Sequence, residues 1–233
     1  MVLPASRHHL HAEVSSRARL LRLTLAGALA ALSGCVVFDR APVSELSCDP
    51  DLPGTWNLKA DGGSKIIHID ARCHTDNWPG LREQPVALDL TGFVLGRNRY
   101  IVFSPADAER ALGAEGKPLS TGLAKGAAVS KDAVFLVLYR LEGDRASAWL
   151  ADPALALNAV AQDRLHGGRL DEQYALIRND PLPSERKIDN RNALVAETPD
   201  RLRVVLGEQP ELLFAIDRKS ATLTRVKKET ASP

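Results

Sequence analysis

The sequence is poor in aromatic residues and nearly balanced in charge, and both properties limit what the protein can be. Phe, Trp and Tyr make up 5% of the 233 residues. Thirty Lys and Arg residues against 29 Asp and Glu residues give a formal net charge of +1 at pH 7. Residues 35–233 have no basic cluster beyond Lys227 and Lys228, so this part of the chain lacks the electrostatic footprint of a nucleic-acid-binding protein. No nucleic acid partner is expected.

The N-terminal region has no apolar run long enough to cross a bilayer as a helix, which takes about 20 residues. Residues 23–32 are apolar or small and follow Arg17, Arg19 and Arg22. The run ends in Leu32-Ser33-Gly34-Cys35. A basic segment, a short apolar segment and small residues at the cut are the three parts of a secretory signal. The segment is therefore expected to be a removable leader.

Leu32-Ser33-Gly34-Cys35 resembles the lipobox of bacterial lipoprotein precursors. This resemblance implies that residues 1–34 are a signal peptide, cut off before Cys35, whose sulfur then carries a diacylglyceryl group. It implies a protein held in the cell envelope by a lipid anchor and facing the periplasm. In such proteins an Asp after the cysteine favours the inner membrane, and Val36 at this position favours the outer membrane. An ordinary cleavage site or a buried core helix is the alternative interpretation.

Three cysteines are present, and two remain once Cys35 is acylated. An even pair in an oxidising compartment is typical of a disulfide, so Cys48 and Cys73 are predicted to pair. The alternative is two free, buried thiols.

The mature chain is expected to contain one domain. Residues 35–53 carry three prolines and little periodicity, which predicts a tether between the membrane and the domain. Residues 54–227 are predicted to form a single globular domain, and residues 228–233 a flexible tail.

Strand patterns within the domain come in adjacent pairs. The pairs are predicted over 54–59 and 65–71, 86–90 and 93–95, 133–141 and 145–150, and 212–216 and 221–226, with further strands over 100–103 and 174–177. The continuous apolar run in 133–141 indicates a strand buried on both faces, and the Gly143-Asp144 turn sets Leu138 opposite Trp149.

Three short helices are predicted to interrupt the strands. Each begins with a capping residue followed by proline, at Ser104-Pro105, Asp152-Pro153 and Thr198-Pro199. The expected fold class is α+β, an antiparallel sheet of hairpins with about three short helices, for which a partly closed barrel is one arrangement.

Gly54-Thr55-Trp56 resembles the Gly-x-Trp signature of lipocalins. This resemblance implies a barrel that binds apolar ligands and is closed at one end by the tryptophan. The alternative is a tryptophan that opens a strand and packs in the core.

The densest group of metal-ligand residue types is His68, Asp70, Cys73, His74 and Asp76. Strand alternation places His68 and Asp70 on one face, with His74 just beyond the strand end, so these three are weak metal candidates. Exposed polar residues at a strand edge are the simpler interpretation, and no cofactor is expected.

These patterns favour a membrane-anchored, non-catalytic periplasmic domain that binds a small apolar ligand or an envelope protein. The alternative is a hydrolase or metal-dependent enzyme that uses the 68–76 region. A purely structural or assembly role is a third hypothesis.

Overall fold

A computed structural model of the chain describes residues 35–60, 63–79, 84–112, 129–170 and 192–227. The strands in these ranges are β1 (Val36–Phe38), β2 (Gly54–Ala60), β3 (Gly63–Ile69), β4 (His74–Pro79), β5 (Pro85–Asp89), β6 (Gly92–Leu95), β7 (Asn98–Phe103), β8 (Phe135–Glu142), β9 (Arg145–Leu150), β10 (Gly167–Leu170), β11 (Asn192–Val195) and β12 (Ala221–Arg225). The helices are α1 (Pro105–Leu112), α2 (Pro153–Ala161) and α3 (Pro199–Glu208), and a single 3₁₀ turn covers Pro210–Leu212.

The main sheet has seven strands in the order β3-β2-β12-β9-β8-β7-β6, and every neighbouring pair in it is antiparallel. Three of its pairs, β2-β3, β6-β7 and β8-β9, are hairpins. The predicted β8-β9 register is confirmed, because Leu138 lies opposite Trp149 and Glu142 opposite Arg145. Gly143 in the connecting turn has φ 60°, a conformation that glycine adopts without strain.

The middle of the main sheet is buried on both faces, and this produces two core clusters. The first core cluster contains Phe135 and Tyr139 of β8 with side chains from β2, β3, β7, β9 and β12. The second core cluster contains Leu136 and Leu138 of β8 with residues of α2 and α3. Strands β2, β3 and β12 instead alternate between buried and exposed side chains, which is the pattern of a sheet with one solvated face.

Two small sheets complete the fold. In one, β11 pairs in parallel with β1 and antiparallel with β10. Strand β1 also bridges to the main sheet through Phe38 and Val134, just before β8 begins. In the other, β4 and β5 pair antiparallel, with a register shift between Thr75 and Trp78.

The three helices begin where their caps predict. The Ser104 hydroxyl accepts a hydrogen bond from the Asp107 N–H at 3.1 Å. The Asp152 carboxylate accepts from the N–H of Ala154, and the Thr198 hydroxyl accepts from the N–H of Arg201. Each cap satisfies a donor that the first helical turn leaves free. The α+β class with antiparallel sheets and three helices is therefore confirmed.

Residues 35–53 differ from the expected tether. Strand β1 lies inside them and is fully buried, and the buried side chain of Leu52 joins the first core cluster. The prolines that suggested a tether are compatible with this arrangement because the segment packs through short bridges and turns rather than long strands.

Two predicted strand pairings are also wrong. Strand β5 pairs with β4 rather than with β6, and β6 pairs with β7. Residues 212–216 do not form the predicted strand: Leu212 is the last residue of the 3₁₀ turn, and Phe214 makes an isolated bridge to Ala151. Strand β12 pairs instead with β2 and β9. The predicted leader, the strand over 174–177 and the C-terminal tail lie outside the described residues.

Residues 34–233 form one compact unit. Among the residues that the structure describes, none of the helices combines the length and the apolar character needed to cross a bilayer.

The close approach of β6 to β7 at Gly92 gives a test of the fold. A Cβ atom on Gly92 would lie 1.7 Å from the Tyr100 carbonyl oxygen. We expect Gly92→Ala to lower the free energy of unfolding, measured by urea denaturation, by about 1–3 kcal/mol, because the strands must separate.

Gly207→Ala is the matched control. Its Cβ would meet only the Leu95 side chain at 3.8 Å, and alanine is the better helix former in α3. Equal stability of the two variants would contradict the β6-β7 register.

Candidate functional site

Cys35, the predicted acylation site, is held by two hydrogen bonds from its backbone to β11, one to the Asn192 side chain and one to the Ala193 backbone. Its N–H donates to Asn192 Oδ1 at 3.0 Å, and its carbonyl accepts from the Ala193 N–H at 2.9 Å. The residue is partly buried, packs against the first core cluster and is a free cysteine. Burial raises the pKa of the Cys35 thiol. Reactivity of this thiol in the folded domain is therefore low.

The predicted disulfide is present between Cys48 and Cys73, whose Cα atoms are 5.3 Å apart. It ties the segment that precedes β2 to the turn between β3 and β4. In that turn Cys73 has φ 61°, in the left-handed region, and its N–H donates to the Asp70 carbonyl at 2.9 Å. The cross-link therefore fixes one end of the main sheet, which we call the disulfide end.

A buried carboxylate, Asp49, lies beside this disulfide and is fully engaged by the protein. Asp49 Oδ2 accepts hydrogen bonds from Arg99 Nη1 at 2.9 Å and from the Tyr139 hydroxyl at 2.6 Å. Asp49 Oδ1 accepts from the Asp51 N–H at 2.9 Å. Because a buried charge is tolerated only when paired and hydrogen-bonded, these three donors explain how Asp49 remains inside the fold.

The surroundings of Tyr139 raise the pKa of its hydroxyl group. Burial raises the pKa of Tyr139, and the adjacent Asp49 carboxylate raises it further because it accepts the phenolic hydrogen and would repel a phenolate. Arg99 also pairs with Asp51 Oδ2 at 3.0 Å. Tyr139 is therefore a neutral hydrogen-bond donor at physiological pH rather than a base.

Trp56 and Arg225 close the same end of the sheet. The Trp56 Nε1–H donates to the Leu52 carbonyl at 2.7 Å, and the Arg225 guanidinium carbon lies 4.1 Å from the centre of the Trp56 ring. Arg225 also donates to the Pro53 carbonyl at 2.8 Å. A Cβ on Gly54 would come within 2.4 Å of Arg225 Nη1, so the glycine of Gly54-Thr55-Trp56 makes room for this arginine.

The three weak metal candidates, His68, Asp70 and His74, have their side chains hydrogen-bonded to different partners. The His68 ring is exposed, with Nδ1 3.3 Å from Thr55 Oγ1. Asp70 accepts from the N–H groups of His74 and Arg72, and these bonds lower the pKa of its carboxyl. His74 Nδ1 lies 2.7 Å from Asp89 Oδ1. In the described part of the chain, no three His, Cys, Asp or Glu side chains are arranged to hold a metal ion.

A second buried carboxylate belongs to Glu197, at the other side of the fold. Glu197 Oε1 accepts from the His166 N–H at 2.6 Å, and Oε2 lies 3.3 Å from His166 Nδ1. The His166 side chain is exposed, so this pair connects the segment after α2 to the residues before α3. Its evident role is to hold these two segments together.

The groups at the disulfide end were not predicted as a set. Asp49 contacts Arg99 and Tyr139 across sequence separations of 50 and 90 residues, and no short motif links them. The one local signal is in β8, where strand alternation places Tyr139 on the same buried face as Phe135. A tyrosine at such a position requires a hydrogen-bond partner.

The disulfide should contribute measurably to stability. Replacing Cys48 and Cys73 with Ala should lower the free energy of unfolding by about 3 kcal/mol, because the cross-link spans a sequence separation of 25 residues. Thermal unfolding with and without reductant measures the effect. Reductant should lower the Tm of the wild type and of Cys35→Ala, and leave the double variant unchanged. A wild-type Tm that is insensitive to reductant would argue against the cross-link.

The Tyr139 hydrogen bond to a carboxylate should be worth more than a neutral one. We expect Tyr139→Phe to cost about 2 kcal/mol at pH 7, and the control Tyr100→Phe, which loses a bond to the Leu206 carbonyl, about 1 kcal/mol. Chemical denaturation of both variants measures the difference, and a smaller loss for Tyr139→Phe would refute the assignment.

The same tyrosine predicts a pH dependence. Its pKa is higher in the folded state than in the unfolded chain, so its contribution is complete below pH ~10 and is lost as pH rises above that value. Between about pH 10 and 11.5 the wild type should lose stability more steeply than Tyr139→Phe, by up to ~1.4 kcal/mol per pH unit.

Comparison with known proteins adds no relative. No family model, no curated protein and no solved structure matches the chain.

Proposed function

We propose that the protein is a lipid-anchored lipoprotein of the cell envelope that acts by binding rather than by catalysis. The observation that carries this proposal is the coincidence of the lipobox-like Leu32-Ser33-Gly34-Cys35 with the start of the fold. The compact unit begins at Gly34, and β1 begins directly after Cys35. Cleavage before Cys35 would leave the whole unit intact except for one residue.

The disulfide supports export. Pairs such as Cys48 and Cys73 form and persist in oxidising compartments, of which the bacterial periplasm is one. Together with the lipobox resemblance, this favours a domain at the periplasmic side of a membrane, and Val36 favours the outer membrane.

The hydrogen bonds that Asp49 and Asp70 accept from the protein itself support a binding function over a catalytic one. Asp49 has three donors of its own, and Asp70 is used by the turn that follows β3. A catalytic carboxylate must instead be free to exchange a proton with substrate. The groups with unusual surroundings in the described residues therefore stabilise the fold.

We further propose that the sheets curl into a partly closed barrel. Asn77 of β4 links to β3, because its side-chain amide donates to the Ile66 carbonyl at 3.2 Å and accepts from the His68 N–H at 3.0 Å. At the other edge of the main sheet, Ser47 and Gly92 exchange two backbone hydrogen bonds of 2.9 Å. Strands β4 and β5 would then occupy the gap between β3 and β6.

This arrangement is in keeping with the lipocalin resemblance of Gly54-Thr55-Trp56, but it favours a different partner. The inward side chains of the strands, including Trp56, Ile67 and Leu88, are buried against one another in the first core cluster. An apolar ligand would have to displace them. A protein of the envelope, bound at the surface, is therefore the preferred partner over a small apolar ligand.

An enzyme that uses the 68–76 region is the second candidate, and one observation favours it. His74 and Asp89 form a His–carboxylate pair of the kind that orients a general base. The pair is exposed, however, and the hydrogen bonds of the His74 ring in the described residues go to Asp89 alone. Zinc or another metal retained after purification would favour this candidate.

Metabolic labelling with a radioactive fatty acid tests the anchor. Wild-type protein should incorporate the label, and Cys35→Ala should incorporate none, because the sulfur that carries the lipid is removed. The variant should still fold, since the hydrogen bonds of Cys35 use its backbone atoms and only the packing of its thiol is lost. The Cys48→Ala and Cys73→Ala double variant is the matched control and should remain labelled. Label on Cys35→Ala would refute the proposal.

A further inference from the structure

The face of the main sheet that α2 and α3 cover continues along the strands as a solvated face. Trp149 of β9 is buried in the second core cluster, whereas Arg145, on the same face of the same strand, is exposed. The register of β8, β9, β12, β2 and β3 aligns ten side chains of this face in two rows. These are Arg140, Ser147, Thr222, Lys59 and Ser64 in the first row and Glu142, Arg145, Thr224, Asn57 and Ile66 in the second. None of the ten is buried, and we call them the outer face.

The outer face carries three cations and one acid. The cations are Lys59, Arg140 and Arg145, and none of them forms an ion pair with a carboxylate of the described residues. Glu142 lies opposite Arg145 in the β8-β9 register, but their side chains are not paired. The outer face therefore has an excess of positive charge that these parts of the chain do not neutralise.

The Arg140 guanidinium is held in place and keeps donors unused. It lies over the Trp149 ring, 5.5 Å from the ring centre, and its Nη2 donates to Asn98 Oδ1 at 3.2 Å. Its buried Nε–H has no acceptor among the described residues. A guanidinium offers five N–H donors, so Arg140 can bind a further acceptor without giving up its present contacts.

The spacing of the three cations favours a partner with several acidic groups over a single small anion. Neighbouring strands are about 4.8 Å apart and alternate residues of a strand about 6.7 Å apart, which places the Arg145 Cα roughly 8 Å from that of Arg140 and roughly 12 Å from that of Lys59. A small anion is held by donors that converge on it in a concave site, and the outer face is instead the surface of a sheet. A partner that uses all three cations therefore presents acidic groups over a comparable distance.

We infer that the outer face binds an acidic surface of a second protein of the envelope. This inference rests on the proposed binding function and assigns it to a surface. Carboxylates of the partner would pair with the three cations, and the Ser, Thr and Asn side chains between them would supply hydrogen bonds. Ile66, which is 54% exposed, adds an apolar contact of the kind that protein interfaces contain. The outer face has no aromatic ring on which a sugar could stack, which disfavours a glycan.

An acidic peptide tests the inference. Acylated mature protein in micelles of a neutral detergent is titrated into fluorescein-labelled poly-L-glutamate, and fluorescence anisotropy reports binding. The wild type should bind at about 0.02 M salt, where exposed charges are weakly screened, and release the peptide at about 0.3 M.

Three variants assign the binding to the outer face. Lys59→Gln combined with Arg145→Gln removes two of the three cations and should weaken binding about fivefold, the scale of two exposed charge pairs. Arg97→Gln combined with Lys131→Gln is the matched control, because it removes two exposed cations that lie outside the outer face, and it should change the affinity less than about twofold. Glu142→Gln removes the acid and should strengthen binding about twofold, a gain that a folding defect would not produce.

Two results would overturn the inference while fatty-acid labelling still supports the anchor. One is a wild type that does not bind the peptide, and the other is equal weakening in the outer-face variant and its control. Displacement of the peptide by solubilised peptidoglycan, or by phosphatidylglycerol in mixed micelles, at a lower concentration of negative charge would also overturn it, since the partner would then be a glycan or a lipid surface. A wild type without fatty-acid label would refute the anchor and leave the titration to decide the role of the outer face.

Discussion

Burial of the middle of the main sheet on both faces is the constraint on which the rest of the structure depends. Strand β8 sends Phe135 and Tyr139 into the first core cluster and Leu136 and Leu138 into the second. A strand buried on both faces must have its backbone groups paired within the sheet, and β7 and β9 provide these partners. The helices α2 and α3 cover one of the two faces, and the strands on the outer part of the sheet are left half-solvated. The two clusters are therefore linked through the same few residues of β8.

Local sequence signals predicted the elements whose structure is decided by neighbouring residues. The β8-β9 hairpin follows from an apolar run and a two-residue turn, and the helix starts follow from a cap and a proline. The Cys48–Cys73 pair was predicted from cysteine count and the expected compartment, because two cysteines remain once Cys35 is assigned to acylation. The hairpin and the helix starts are decided by residues within or next to each element, and the disulfide by the small number of cysteines.

The remainder depends on contacts between distant parts of the chain, which a single sequence does not record. Strand β4 was missed because its sequence is polar and only Thr75 in it is fully buried. Without β4 as a partner, β5 was wrongly paired with β6. Strands β1 and β11 are short, and their parallel pairing has no turn to signal it. The Asp49 network was missed for the same reason, since three residues of ordinary polarity become a set only when the fold brings them together.

The pairing of β1 with β11 has a consequence for the order in which the protein folds. Cys35 and its partner Asn192 are 157 positions apart, so β1 cannot pair with β11 until most of the chain has been made. In a chain that emerges from its N-terminus, such long-range contacts form late. The free Cys35 thiol, which is buried in the folded domain, is therefore accessible to solvent until β1 docks. Pairing of β1 with β11 would then end the access of any thiol reagent to this cysteine.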